Sequence, residues 1–301
     1  MHFIMYQVDG KQYLGIKQQS HVIDLKALSD EYCNRFNQSP PVLLTDMLTL
    51  IQQGDKAKTY VKTLTDWLET NKDTDLSVKH LLDDVSILAP LCNPGKVVCV
   101  GNNYMDHCRE QNVEPPKKPL IFSKWPSCII GPEAEILLPE NSEQVDFEAE
   151  LAVVIGKRGK NIAEEEAFNY VFGYTILNDI SARDVQFADG QWVRGKSFDT
   201  FAPLGPAIVT ADEIENPHHL AIKLDLNGEV LQDSNTSHMI FKIPYLISYL
   251  SKGFTFEPGD IIATGTPHGV GVFRNPQVFL KHGDICTVEI EKIGLLKNRV
   301  R

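Results

Sequence analysis

The chain predicts an α+β fold that is mostly β. Three observations carry this. Beyond residue 95, short apolar runs recur between Gly, Pro, Asn and Asp. One of them, LDLNGEVLQ, sets Asn227-Gly228 between alternating segments, the pattern of a tight hairpin. Only two or three stretches of that region have helical spacing.

Taken in order, residues 1–24 read as a hairpin or meander: HFIMYQV alternates, Asp9-Gly10 turns the chain, and QYLGIKQ and HVIDL follow. Two or three helices come next. PVLLTDMLTLIQQG spaces its apolar residues helically and stops at Gly54, and AKTYVKTLTDWLET repeats the pattern through Tyr60, Val61, Leu64, Trp67 and Leu68. Pro90, Pro94 and Gly95 then punctuate the chain. They suggest a small N-terminal α+β domain over residues 1–90 and a larger, mostly β domain over residues 91–301. In the larger part the strand-like runs are KVVCVG, PLIFSK, SCIIG, ELAVVIG, VFGYTILND, GPAIVT, AIKLDLNGEVLQ, DIIATG and ICTVEIEKIG. Helices are expected near 104–110, 163–170 and 243–251.

Composition narrows the partners. The 301 residues are 43% hydrophobic and 23% charged, enough to bury a sizeable core, and the net charge is -11. That balance offers no basic field for a phosphate backbone or an anionic lipid surface, so neither nucleic acid nor membrane is expected as a partner. The first apolar run breaks at Asp9, without a signal or transit pattern, and the six cysteines form no C-x-x-C pair. A reduced, cytoplasmic setting is the expectation.

The chemistry begins in VDFEAELAVVIGK. Strand side chains alternate, so Glu148 and Glu150 share a face about 7 Å apart, while Phe147, Ala149 and Leu151 take the other. A solvated face is the plain explanation. Ala152 and Val154 continue that same face, however, and two partly buried carboxylates would need a shared proton or a cation. Asp179 closes another apolar strand at the start of a polar turn. Three carboxylates with water suit Mg²⁺, with Mn²⁺ or Ca²⁺ as alternatives, better than zinc, for which His and Cys spacings are missing.

Three further segments carry reactive side chains. In VCVGNNYMDHCREQNVEPP, His107 and Glu110 are three apart and share one helix face; a carboxylate there would fix the imidazole tautomer for proton transfer, although a surface pair is the commoner fate of such spacing. Lys196, between Gly195 and an apolar-aromatic stretch, is either a snorkelling surface lysine or a buried cation facing an enolate or carboxylate. DIIATGTPHGVGVF places Gly265, Gly269 and Gly271 in a turn whose N–H groups could hold a carboxylate; His268 within it reads as incidental.

Together, VCVGNNYMDHCRE, DFEAELAVVIGK, FGYTILNDISARDVQ, GKSFDTFAPLGP, NGEVLQDSNTSHMIF and GDIIATGTPHGVGVF resemble, in this order, the fumarylacetoacetate hydrolase family over roughly residues 95–301. The resemblance implies a mixed β-sandwich roll, usually a homodimer, with one divalent metal, commonly Mg²⁺, on Glu148, Glu150 and Asp179. It places the H-x-x-E dyad on His107 and Glu110, on a segment that often closes over substrate. It adds Lys196 and Gln186, puts Thr266 near a substrate carboxylate, and sets Tyr104 and Lys124 near the pocket. Two departures stand out: Gly101-Asn102-Asn103 lacks the upstream acidic ligand of longer members, and Asn102 replaces the Arg or Lys of many short ones. The implied activity is metal-dependent C–C hydrolysis of fumarylacetoacetate-like or acylpyruvate-like 1,3-diketo acids. Oxaloacetate decarboxylation or keto–enol tautomerisation is the alternative, and a non-catalytic metal-binding role is a third reading.

Overall fold

The computed structural model describes residues 1–71 and 78–301. Its centre is a large mixed sheet that begins in the N-terminal segment and runs through the rest of the chain without a break. In spatial order the strands are Lys79–Leu81, His21–Asp24, Lys11–Gln18, His2–Val8, Ala202–Thr210, Val171–Asn178, Ala149–Ile155, Ile261–Ala263, Val97–Gly101 and Leu120–Ser123. The join is antiparallel, with His2 opposite Val209 and Phe3 opposite Ile208. The 90/91 boundary therefore falls in sequence between two parts of one sheet.

A second sheet of five strands packs over the first, ordered Glu229–Asn235, Ala221–Leu226, Ile285–Ile290, Gly294–Val300 and Glu135–Ile136. Its hairpin turns at Asn227 and Gly228, with φ of 57° and 90°, as the Asn-Gly pair predicts. Along Ala221–Leu226 burial alternates, and Ile222, Leu224 and Leu226 point inward. They meet Ala149, Leu151, Val153 and Ile155 in the main core between the sheets.

The opposite face of the large sheet is also covered. Ala152, Val154, Phe172, Leu204 and Ile208 pack against Leu28 of helix Leu25–Phe36 and against Leu50, Ile51, Val61 and Leu64 of helix Met47–Thr70. That second helix is broken at Gly54 (φ 55°, ψ -131°), where the sequence predicts a stop. Asp24 and Asp46 cap the two helices by accepting from Ala27 N–H and Thr49 N–H, each at 2.8 Å. Two-sided cover explains why Ala149–Ile155 is buried throughout: both of its faces are interior, rather than only the one carrying Ala149 and Leu151.

Of the expected helices, Met105–Glu110 and Ile243–Gly253 form as α-helices, while Glu164–Tyr170 forms as 3₁₀. Arg183–Asp189 and Val193–Lys196 are short helices that apolar periodicity did not reveal. No helix among the described residues is long and apolar enough to cross a membrane.

Candidate active site

Strand ends deliver the acids. Glu148 and Glu150 enter the central strand as it starts, and Asp179 follows the last residue of its antiparallel neighbour, where Ala149 lies opposite Asn178. The Asp179 N–H donates to Glu148 O at 2.9 Å, locking the two strand ends together. All three carboxylates are buried, and each offers an oxygen within 4.8 Å of the others. The solvated-face explanation of Glu148 and Glu150 therefore fails.

Cations surround the cluster unevenly. Lys196 Nζ stands 2.8 Å from Glu148 and 2.9 Å from Asp179, so it is a buried partner and not a snorkelling surface lysine. Lys124 Nζ reaches Asp179 at 2.7 Å and donates to the carbonyls of Ile180 and Lys196. Arg183 Nε donates to Asp146 at 2.9 Å. Its second terminal nitrogen lies 2.7 Å from Glu148 and 2.8 Å from Asp146, ion-pair distances off the line of a hydrogen bond. Asp146 also accepts from the N–H groups of Gly271 and Val272 at 2.7 and 3.0 Å.

The balance leaves one acid over. Asp146, Glu148, Glu150 and Asp179 face Lys124, Arg183 and Lys196, four carboxylates against three cations, all buried. Glu150 is the one without an ion pair among the described residues; its hydrogen bond is from Gly265 N–H at 2.8 Å. Burial, together with the Asp179 and Glu148 charges, pushes Glu150 well above the usual carboxylate range. Burial would also raise Glu148, but Lys196 and Arg183 outweigh it and hold that acid at about 2. Burial would lower Lys196, and Asp179 and Glu148 reverse it, so the ammonium stays charged. An excess carboxylate among three converging hard oxygens fits a divalent cation, which would relieve the repulsion on Glu150. The fit is to the class of ion and does not select Mg²⁺ over Mn²⁺ or Ca²⁺.

The dyad sits across the cavity from this cluster. His107 Nδ1 and Glu110 Oε1 are 2.6 Å apart, and Glu110 Oε2 accepts from Gly269 N–H at 2.8 Å. Glu110 therefore fixes the ring and is itself fixed by the glycine turn, leaving Nε2 without a hydrogen bond among the described residues. Gly265, with φ +100°, lets this turn press on Val100 and Asn103; a Cβ there would stand 2.8 Å from Asn103 Cβ. Asn103 holds the same junction by donating to Thr264 O at 2.7 Å and accepting from Phe241 N–H at 2.8 Å.

The cavity is about 40 Å³, and its lining includes His107, Glu148, Glu150, Gln186, Lys196 and Thr266. Sequence reasoning named those six. Gln186 accepts from Arg183 at 3.1 Å, and Thr266 Oγ1 accepts from Gln232 Nε2 at 2.9 Å. Tyr104 and Lys124, expected near the pocket, do not line it. Lys124 is spent on Asp179 and two carbonyls; the Tyr104 hydroxyl is buried with no partner among the described residues, and burial, with the Glu150 and Asp106 charges, pushes its pKa up. Asp179 also stands behind the wall, held by its two lysines. Arg183 and the aromatic wall of Phe122, Phe187, Trp192 and Phe273 were missed. An arginine four residues past Asp179, in DISARDVQ, was the available signal. His268 is not incidental, since its Nδ1 lies 3.0 Å from Asp106.

Comparison with known proteins agrees with this geometry. A family model described as fumarylacetoacetate (FAA) hydrolase, C-terminal, matches residues 96–301. A relative in Xenopus laevis, named a mitochondrial oxaloacetate tautomerase, is 47% identical over 291 residues, covering 95% of this chain and 85% of the relative. The fumarylacetoacetate hydrolase of Exiguobacterium antarcticum superposes with a TM-score of 0.83 at 36% identity, covering 100% and 99% of the two chains. Maleylpyruvate hydrolase of Sphingobium sp. SYK-6, solved with manganese(II) and pyruvate, has a TM-score of 0.76 at 29% identity over 100% and 98%. The expectation of a cytoplasmic protein is corrected by the Xenopus relative and its human counterpart, 51% identical over 253 residues, which are both named mitochondrial. Unpaired cysteines had pointed to reducing conditions, and those do not specify a compartment. The matched family model, the shared fold and the converging acids together place the chain in the fumarylacetoacetate hydrolase family.

Proposed function

We propose that this enzyme interconverts the keto and enol forms of a small 2-keto dicarboxylic acid of the oxaloacetate type, at a divalent-metal site on Glu148, Glu150 and Asp179. The observation that carries the reading is the 47% identity, over 95% of the chain, to a protein named oxaloacetate tautomerase. The site supports it. Tautomerisation needs a base that can take a proton from carbon and return it to oxygen, and a positive surround for the enolate.

His107 supplies the first. With Nδ1 held by Glu110, Nε2 takes the proton from the carbon beside the ketone and delivers it to the enolate oxygen. Lys196 and Arg183 supply positive charge at the cavity wall, where substrate carboxylates and the developing oxyanion would lie. A divalent ion held by the three acids would supply Lewis acidity at the keto oxygen. Phe122, Phe187, Trp192 and Phe273 give the small cavity an apolar wall beside the charged cluster.

The second reading is C–C hydrolysis of an acylpyruvate, with His107 activating water. It is favoured by the likeness to the maleylpyruvate hydrolase solved with manganese and pyruvate. One experiment separates the two. The Mg²⁺- or Mn²⁺-loaded protein is given enol-oxaloacetate, whose absorbance is followed, and acetylpyruvate, whose products are analysed. The proposal expects rapid loss of the enol signal, cut ~10²–10⁴-fold in His107→Ala, with acetylpyruvate left intact. Acetate and pyruvate from acetylpyruvate, with the enol decaying only at its buffer rate, would establish the hydrolase instead.

A further inference from the structure

The dyad helix Met105–Glu110 is too short to hold itself in place. Glu110 ties its C-terminal end to Gly269. At the other end stands Asp106, an acid the dyad chemistry does not use. Its Oδ1 accepts from the His107 N–H at 2.8 Å. Its Oδ2 accepts from Ser234 Oγ at 2.9 Å and faces His268 Nδ1 at 3.0 Å and His238 Nδ1 at 3.3 Å. One carboxylate thus gathers groups from the strand Glu229–Asn235, the 3₁₀ turn Thr236–His238 and the turn that follows Ile261–Ala263.

The anchor lies toward solvent while the cavity lies inside: the Asp106 side chain is 20% exposed, and those of His238 and His268 are 55% and 48% exposed. Burial would raise the Asp106 pKa, but the bonds from His268, Ser234 and the His107 N–H outweigh it and keep the carboxyl ionised. His268 and Gly269 are consecutive residues of the turn that carries Thr266. Both ends of the helix are therefore bolted to one substrate-facing loop, with His107 suspended between the bolts.

We propose that Asp106 is a positioning residue: by holding Ser234, His238 and His268 it fixes the dyad helix against the Thr266 turn and so sets where His107 Nε2 meets the substrate. The inference rests on the dyad being the proton-transfer group of the proposed function. Asp106 touches no reacting atom and acts through His107.

The test uses the full chain. Asp106→Ala should lower turnover ~10–100-fold, the scale of a misplaced catalytic group, and speed amide hydrogen exchange at residues 105–110. Asp106→Asn keeps an oxygen for the His107 N–H but turns the other arm into a donor. It should show the same turnover loss with a smaller fall in Tm than Asp106→Ala, separating the tether from the helix cap. In a His107→Ala background, Asp106→Ala should cost nothing further. Full turnover in Asp106→Asn, or an undiminished loss in the His107→Ala background, would overturn the proposal. The exchange measurement needs no substrate: unchanged exchange at 105–110 sinks the anchor itself, whereas faster exchange with no tautomerase activity in the parent protein locates the failure in the assigned reaction.

Discussion

Arg183 stands 2.7 Å from Glu148 and 2.8 Å from Asp146, so Arg183→Leu would leave two interior carboxylates without that cation. Breaking a buried pair from one side costs about 3–5 kcal/mol, and a denaturant titration should show a loss of that size. Tyr104→Phe should go the other way. The hydroxyl it removes is buried and has no partner among the described residues, so stability should hold or rise by about 1 kcal/mol. At this scale the acids were legible because strand alternation puts Glu148 and Glu150 on one face whatever covers them. The cations were less so. Lys124, Arg183 and Lys196 are single charges with no periodic pattern in sequence, and only the folded sheet shows that four carboxylates converge on them. Gln232 was invisible for a similar reason. It bridges Ala149 N–H and Thr266 Oγ1 from a strand distant from both in sequence, and a lone glutamine carries no periodic signal.

Helix Ile243–Gly253 shows how an element's end is tied to pH. His218 Nε2 accepts from the Ile243 N–H at 3.1 Å, satisfying one of the free donors of the helix start. Burial, with the nearby Lys242 charge, lowers His218 from its ordinary 6.5 to about 4. The folded chain therefore binds fewer protons there than the unfolded one, and stability falls as pH drops from about 6.5 toward 4, where protonation removes the acceptor. The contribution at stake is about 1–2 kcal/mol after allowance for partial exposure. His218→Gln should flatten that part of a stability-against-pH profile measured by thermal melts. Elements whose pattern depends on their own residues were readable: the Asp9-Gly10 and Asn227-Gly228 hairpins, the stop at Gly54 and the dyad helix. Arg183–Asp189 and Val193–Lys196 were not, because their seven and four residues are too few for a repeat to emerge.

For the molecule as a whole, an ion held by the acids at the meeting of two strands would couple its binding to folding. A chelator should lower Tm, and Mg²⁺ or Mn²⁺ should restore it in a concentration-dependent way, by about 2.7 kcal/mol at a hundredfold excess over Kd. Glu150→Gln should raise the Tm of the ion-free protein, since it removes the one carboxylate of the buried four that has no ion pair among the described residues, and weaken the ion's stabilising effect. The sheet order was the least legible feature, since strand-like runs do not state their neighbours, and nothing in HFIMYQV says that it will lie beside Ile208 and Val209. That pairing has a practical consequence. The matched family unit begins at residue 96, and cutting there would strip Ala202–Thr210 of its partner along Ile208 and Val209 and uncover Val154, Phe172 and Leu204. The bared row of N–H and C=O groups would become a template for adding a strand from another molecule. A 96–301 fragment should therefore sediment as large aggregates where the full chain stays monodisperse, which makes the first hundred residues a built-in safeguard against self-association.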